Sequence, residues 1–96
     1  MIHNLARARG APVWCGGLLE TGVGRAHNIA LSTLPGFTLP GDISASDRYY
    51  AEDVIDPPVT VSPQGTLAVP AGPGIGYTVV EKRLNRYCVR REYVLS

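Results

Sequence analysis

The sequence predicts an α/β fold of the parallel kind, and three observations predict it. Apolar residues recur at helical spacing in two stretches. Each stretch is followed by a very short apolar run closed by glycine or proline, and the two kinds of segment alternate. Helix, strand, helix, strand is the order in which a parallel sheet is wound. With 96 residues the chain is one domain or less, and such a length buries roughly 60–65% of its extended surface. A composition 45% hydrophobic and 18% charged argues against disorder. The net charge of +1 gives no electrostatic reason for a nucleic-acid or anionic-membrane partner. The N-terminus has no signal-peptide core, and no apolar run approaches the ~18–20 residues of a membrane span, so a cytoplasmic location is expected. Cys15 and Cys88 form no C-x-x-C motif and are expected to be free thiols.

Taken in order, Ile2, Leu5 and Ala6 mark residues 1–9 as a helix, with Gly10 suited to close it. Val13-Trp14-Cys15, between Pro12 and Gly16-Gly17, reads as a strand buried on both faces. Thr21 is placed to cap a helix over 22–34 whose apolar stripe is Val23, Ala26, Ala30 and Leu34, with His27 and Leu31 beside it; Pro35-Gly36 stops it. Phe37–Leu39 is a second strand, ended by Pro40-Gly41-Asp42. Two strands cannot form a covered parallel sheet without open edges. Beyond Asp42 the character changes: residues 43–50 predict a loop with a helical turn. Val59–Val61 and Thr66–Val69 predict a hairpin around Ser62-Pro63-Gln64-Gly65. A short helix is expected over 80–86 and an extended tail over 87–95.

The glycines match no phosphate-binding fingerprint. Gly17 and Gly22 have P-loop spacing, but Val23 stands where lysine is needed. Gly22-x-Gly24 is followed by His27 and not by a third glycine. Gly16-Gly17 at the end of a strand either lets a ligand approach the main chain or simply makes a tight turn. Glu20, Asp42 and Asp47 fall just past strand ends, the side on which barrels carry chemistry, though solvated loop acids are the commoner outcome there. Neither His3 nor His27 joins them in a metal-ligand pattern, and His27 is expected to be packed or capped. Ser44 and Ser46 lack a nucleophile-elbow context. Arg90-Arg91 is a pair, not a patch, and Trp14, Tyr49, Tyr50 and Tyr77 follow no stacking pattern among basic residues.

Three stretches carry a resemblance. Pro12 to Asn28, Pro-Val-Trp-Cys-Gly-Gly-Leu-Leu-Glu-Thr-Gly-Val-Gly-Arg-Ala-His-Asn, resembles the seventh-strand segment of the o-succinylbenzoate synthase and N-acylamino acid racemase group of the enolase superfamily. Leu34 to Tyr49 resembles the eighth-strand segment, and Val69 to Gly76 the Pro-x-Gly-Pro-Gly-x-Gly stretch near the end. The resemblance covers essentially the whole chain, with Leu18 where many relatives have Met.

The resemblance implies the C-terminal piece of a (β/α)7β barrel plus a contribution to an α+β capping domain. Residues 1–56 would hold the last barrel elements, with Val13–Gly17 as seventh strand and Phe37–Leu39 as eighth, and residues 57–96 would return to the cap. The group abstracts the proton α to a carboxylate and holds the enediolate on Mg²⁺, whose preference for oxygen ligands suits a site of carboxylates. Loss of water then gives o-succinylbenzoate for menaquinone synthesis, or reprotonation inverts an N-acylamino acid. The substrate-binding role is inherited by Gly16, Gly17, Leu18 and Leu19, with Glu20 and with Asp42 at the same mouth. No catalytic residue and no metal ligand can be placed, since the base and acid are lysines of the second and sixth strands and Lys82 is the only lysine here. The resemblance sets Met1 inside the sixth helix, so a fragment inactive alone and without its own magnesium is expected. The alternatives are half of a split enzyme, paired with a complementary N-terminal chain, or a non-catalytic binding or homo-oligomerising module.

Overall fold

In the computed structural model, which describes residues 1–94, the first helix, α1, spans Ile2–Ala8. Gly10 closes it at φ 66°: its N–H donates to the Arg7 carbonyl and that of Ala11 to the Ala6 carbonyl, both at 3.0 Å. This paired closure needs a left-handed residue, which glycine supplies without steric cost. The apolar side of α1 is uncovered, with Ile2 and Leu5 exposed. His3 docks, stacking on Phe37 at 5.9 Å and accepting the Gly36 N–H at 2.9 Å, and the Arg7 stem lies beside it against Gly36.

The two expected strands run parallel but make single bridges, Val13 to Phe37 and Gly16 to Asp42. Three residue steps on the first side face five on the second, so the segment from Phe37 to Asp42 bulges around Pro40, which has no N–H to give. The first strand is not buried on both faces as expected. Cys15 is buried, but Trp14 is exposed because nothing in these residues packs on its side.

The second helix, α2, spans Gly22–Leu31, three residues shorter than expected. The Ser32 and Thr33 hydroxyls take the Asn28 and Ala30 carbonyls, and the main chain tightens into three-residue turns before Pro35. Its inner face is also rotated from the expected stripe. Gly22, Arg25, Ala26 and Ile29 are buried, whereas Ala30, Leu31 and Leu34 are exposed, and so is His27. His27 Nδ1 lies 2.9 Å from the Val23 carbonyl. The rotation follows from Arg25, which enters the interior because an acid waits there for it.

A 3-10 turn at Ser46–Arg48 supplies the expected helical turn. Two strands then pair antiparallel, β1 (Ile55–Asp56) with β2 (Thr78–Val79), in the register Ile55 to Val79. That ladder was not expected. The hairpin around Ser62–Gly65 narrows to a single bridge, Val61 to Leu67, with Gly65 at φ 78°. The third helix, α3, spans Glu81–Tyr87, one residue later than expected at both ends. Residues 88–94 form no regular element, and Leu95 lies outside the described residues. Arg83 and Arg86 of α3 pair with Glu52 at 3.0 and 2.8 Å, and Tyr87 donates to the Glu52 carbonyl. The core is one small cluster, Ile29, Val54, Ile55 and Val59, with Val23, Ile43, Leu67 and Tyr77 against it. No helix among the described residues is long and apolar enough to cross a membrane.

Candidate functional site

Gly16 and Gly17 end the first strand where Asp42 ends the second, and the two ends touch. The Asp42 N–H donates to the Cys15 carbonyl at 2.8 Å. A Cβ on Gly17 would run into the Asp42 carbonyl, so only glycine allows this approach. Both strand ends therefore open on one mouth, with the Asp42 side exposed to solvent.

The chain then turns outward. Leu18 and Leu19 are 81% and 70% exposed, an unusual cost for two consecutive leucines on a loop. Glu20 folds back beneath them: its Oε2 accepts the Leu18 N–H and its Oε1 the Asn28 Nδ2, each at 2.6 Å. Gly16, Leu18, Glu20, Gly24 and Asn28 line a concavity of about 330 Å³. Of the six residues to which the resemblance gives a substrate role, Gly16, Leu18 and Glu20 line this hollow. Gly17, Leu19 and Asp42 are not among its lining: Gly17 packs against the Asp42 carbonyl, and the Leu19 carbonyl accepts the Tyr50 hydroxyl at 3.0 Å.

Beneath the mouth lies a polar network that sequence reasoning missed. Asp53 is fully buried and takes four donors: the N–H groups of Gly22 and Val54 at 2.8 and 2.7 Å, Arg25 Nη1 at 3.0 Å and the Ser46 hydroxyl at 2.6 Å. Arg25, 1% exposed, also gives Nη2 to the Glu20 carbonyl at 2.9 Å. Thr21 occupies the cap position of α2 but makes no side-chain cap bond. The cap comes instead from Asp53, 31 residues beyond Gly22, which accepts the Gly22 N–H at the end of the helix and sets a negative charge at its positive end. Ser46, set aside for lack of a nucleophile context, proves to be a buried link, since its oxygen also accepts the Val59 N–H. The only sequence signal was the polar-aromatic stretch itself, which names no partner.

The described residues do not assemble a magnesium site. No three His, Cys, Asp or Glu side chains cluster among them. The Glu20 carboxylate is engaged by Leu18 and Asn28, that of Asp53 is enclosed by its donors, and Asp42 stands singly on the surface. A hard, oxygen-seeking dication needs more carboxylate than this mouth offers. Lys82, the sole lysine, is exposed on α3.

Residues 1–83 match the family described as Enolase C-terminal domain-like. The chain is 58% identical over 86 residues to an o-succinylbenzoate synthase of Geobacillus stearothermophilus, covering 90% of this chain and 23% of that protein. It is 47% identical over 95 residues to an N-succinylamino acid racemase of an Amycolatopsis species, covering 99% of this chain and 25% of that protein. Among solved structures, an enolase-superfamily member from Listeria innocua superposes with a TM-score of 0.83 at 50% identity, covering 90% of this chain and 23% of the other. The chain thus spans about a quarter of the length of the curated relatives it matches.

Proposed function

The chain belongs to the enolase C-terminal domain-like family, and from that premise we propose that it forms part of the substrate pocket of an o-succinylbenzoate synthase or N-succinylamino acid racemase. In this reading Val13–Gly17 and Phe37–Leu39 are the seventh and eighth barrel strands. Residues 57–96 return to the capping domain, and the cytoplasm is the place of action. Gly16, Gly17, Leu18 and Leu19 present main chain to a small carboxylate substrate, flanked by Glu20 and Asp42. This reading assigns the lysines that move the proton and the carboxylates that hold Mg²⁺ to barrel strands outside these residues.

One observation carries the reading: the parallel bridge from Gly16 to Asp42, which brings both strand ends to a single mouth. In barrels the chemistry sits at the carboxyl ends of the strands. The test is a segment exchange. The whole chain replaces the matching segment of the Geobacillus stearothermophilus synthase, and formation of o-succinylbenzoate is followed. Turnover within about tenfold of the parent is expected. Gly17→Val in the same chimera should abolish it, since no side chain fits against the Asp42 carbonyl. A folded chimera without turnover would overturn the synthase reading; racemisation of an N-succinylamino acid by that chimera would select the other activity.

A further inference from the structure

Glu20 lies at the mouth, where a carboxylate invites a role in carrying protons, yet its surroundings describe something else. Both of its oxygens already accept short hydrogen bonds, one from the Leu18 N–H two residues back and one from Asn28 on α2. Its own carbonyl is gripped by Arg25, which is immobilised in turn by buried Asp53. Gly24, one turn before Asn28 on the same helix face, has no side chain; a Cβ there would stand 3.0 Å from Glu20 Cβ. On the outer side Tyr50 holds the Leu19 carbonyl, and the Tyr50 ring meets Tyr87 of α3 edge to face at 6.1 Å. The loop from Leu18 to Glu20 is therefore fastened at Leu18, Leu19 and Glu20 alike, to α2 on one side and toward α3 on the other.

We propose that Glu20 is a positioning residue: with Asn28 it forms a carboxylate clamp that fixes the Leu18–Leu19 main chain at the pocket rim. It acts on substrate through that main chain, not by taking or giving a proton. The inference rests on the pocket reading above and adds to it the device that holds the rim in shape. Pre-setting a binding segment lowers the ordering cost of binding, so its loss shows first in KM.

The test uses the chimera that carries the full chain, with Glu20→Gln, Glu20→Ala and Asn28→Ala. Glu20→Ala and Asn28→Ala are expected to raise KM about tenfold with a smaller change in kcat. Both should also speed hydrogen exchange at the Leu18 amide. Glu20→Gln, which keeps an acceptor for that amide, should recover most of the loss and retain the shape of the pH–rate profile. A fall in kcat of about a hundredfold or more for Glu20→Gln, with one limb of the profile gone, would mean that Glu20 carries a proton. Unchanged KM and unchanged Leu18 exchange in Glu20→Ala would equally sink the clamp. The exchange readout requires only a folded chimera, so it judges the clamp even if turnover is absent and the pocket reading fails.

Discussion

Asp53 is the residue on which the most depends. An aspartate with no exposed side-chain surface faces an arginine that is 1% exposed, and two main-chain N–H groups and a hydroxyl share its oxygens. Removing one member of such a pair strands the other charge in the interior, at a cost of about 3–5 kcal/mol. Asp53→Ala in the chimera should therefore lower the thermal midpoint sharply, and calorimetry would show it. An unchanged midpoint would mean that water or another acid reaches Arg25. Tyr77 makes a smaller, pH-dependent contribution. Burial raises its phenol above the ordinary 10.0, so the folded chain keeps that proton at a pH where the unfolded chain has lost it. The associated stability is fully present below pH 10 and fades as pH climbs through the folded value. Tyr77→Phe should flatten that alkaline decline, as midpoints taken from pH 8 to 11 would reveal. Neither Asp53 nor its partner Arg25 declared itself in the sequence. An arginine on a helix reads as solvated until its acid is known, and Asp53 lies 28 residues away in a stretch with no periodicity.

Among the elements, α1, α2, α3 and the parallel strand pair were legible, because spacing of apolar residues and glycine or proline stops are local signals. Gly10 was expected to close α1, and it does so in the left-handed conformation that favours glycine. The β1–β2 ladder was not legible: two-residue strands are too short to alternate, and Ile55 finds Val79 across the whole proline-rich segment. The face of α2 was misjudged for a related reason. Hydropathy placed Ala30, Leu31 and Leu34 inward, while the fold within these residues turns Arg25 and Ile29 to the core. Around the candidate site, the ends of the two strands at Gly16-Gly17 and near Asp42 were legible from glycine and proline stops, while the roles of Asn28, Tyr50 and Arg25 were not, being polar residues whose partners lie elsewhere in the chain. Gly22 gives a test at this scale. Alanine normally stabilises a helix over glycine by up to about 1 kcal/mol. Here a Cβ would collide with Ile55 and crowd Asp53, so Gly22→Ala should cost about 1–3 kcal/mol instead. Denaturant midpoints of the chimera would decide, and a gain in stability would show that Ile55 can yield.

As a whole, the molecule has more skin than its mass warrants. Its accessible surface is 7216 Å², against about 5,400 Å² for a compact monomer of 10.3 kDa. Its radius of gyration is 15.4 Å, where about 12.5 Å is usual for this length. Ile2, Leu5, Trp14, Leu18, Leu31 and Leu39 all lie on that excess surface, and both bridged strands keep an outer edge without a neighbour among the described residues. The purified chain alone is therefore expected to associate and bind hydrophobic dyes, and to unfold without a sharp transition. It should also show no magnesium-dependent dehydration or racemisation. Cooperative melting of a monomer, or turnover abolished by EDTA, would contradict this. The long reach of Asp53 to the first turn of α2 has a temporal consequence. As the chain leaves the ribosome, residues 22–31 emerge well before their anchor, so the helix and the loop it steadies must wait for later polypeptide. The Asp53 network therefore cannot close before residue 53 has emerged, and the loop from Leu18 to Glu20 gains its Arg25 anchor only then.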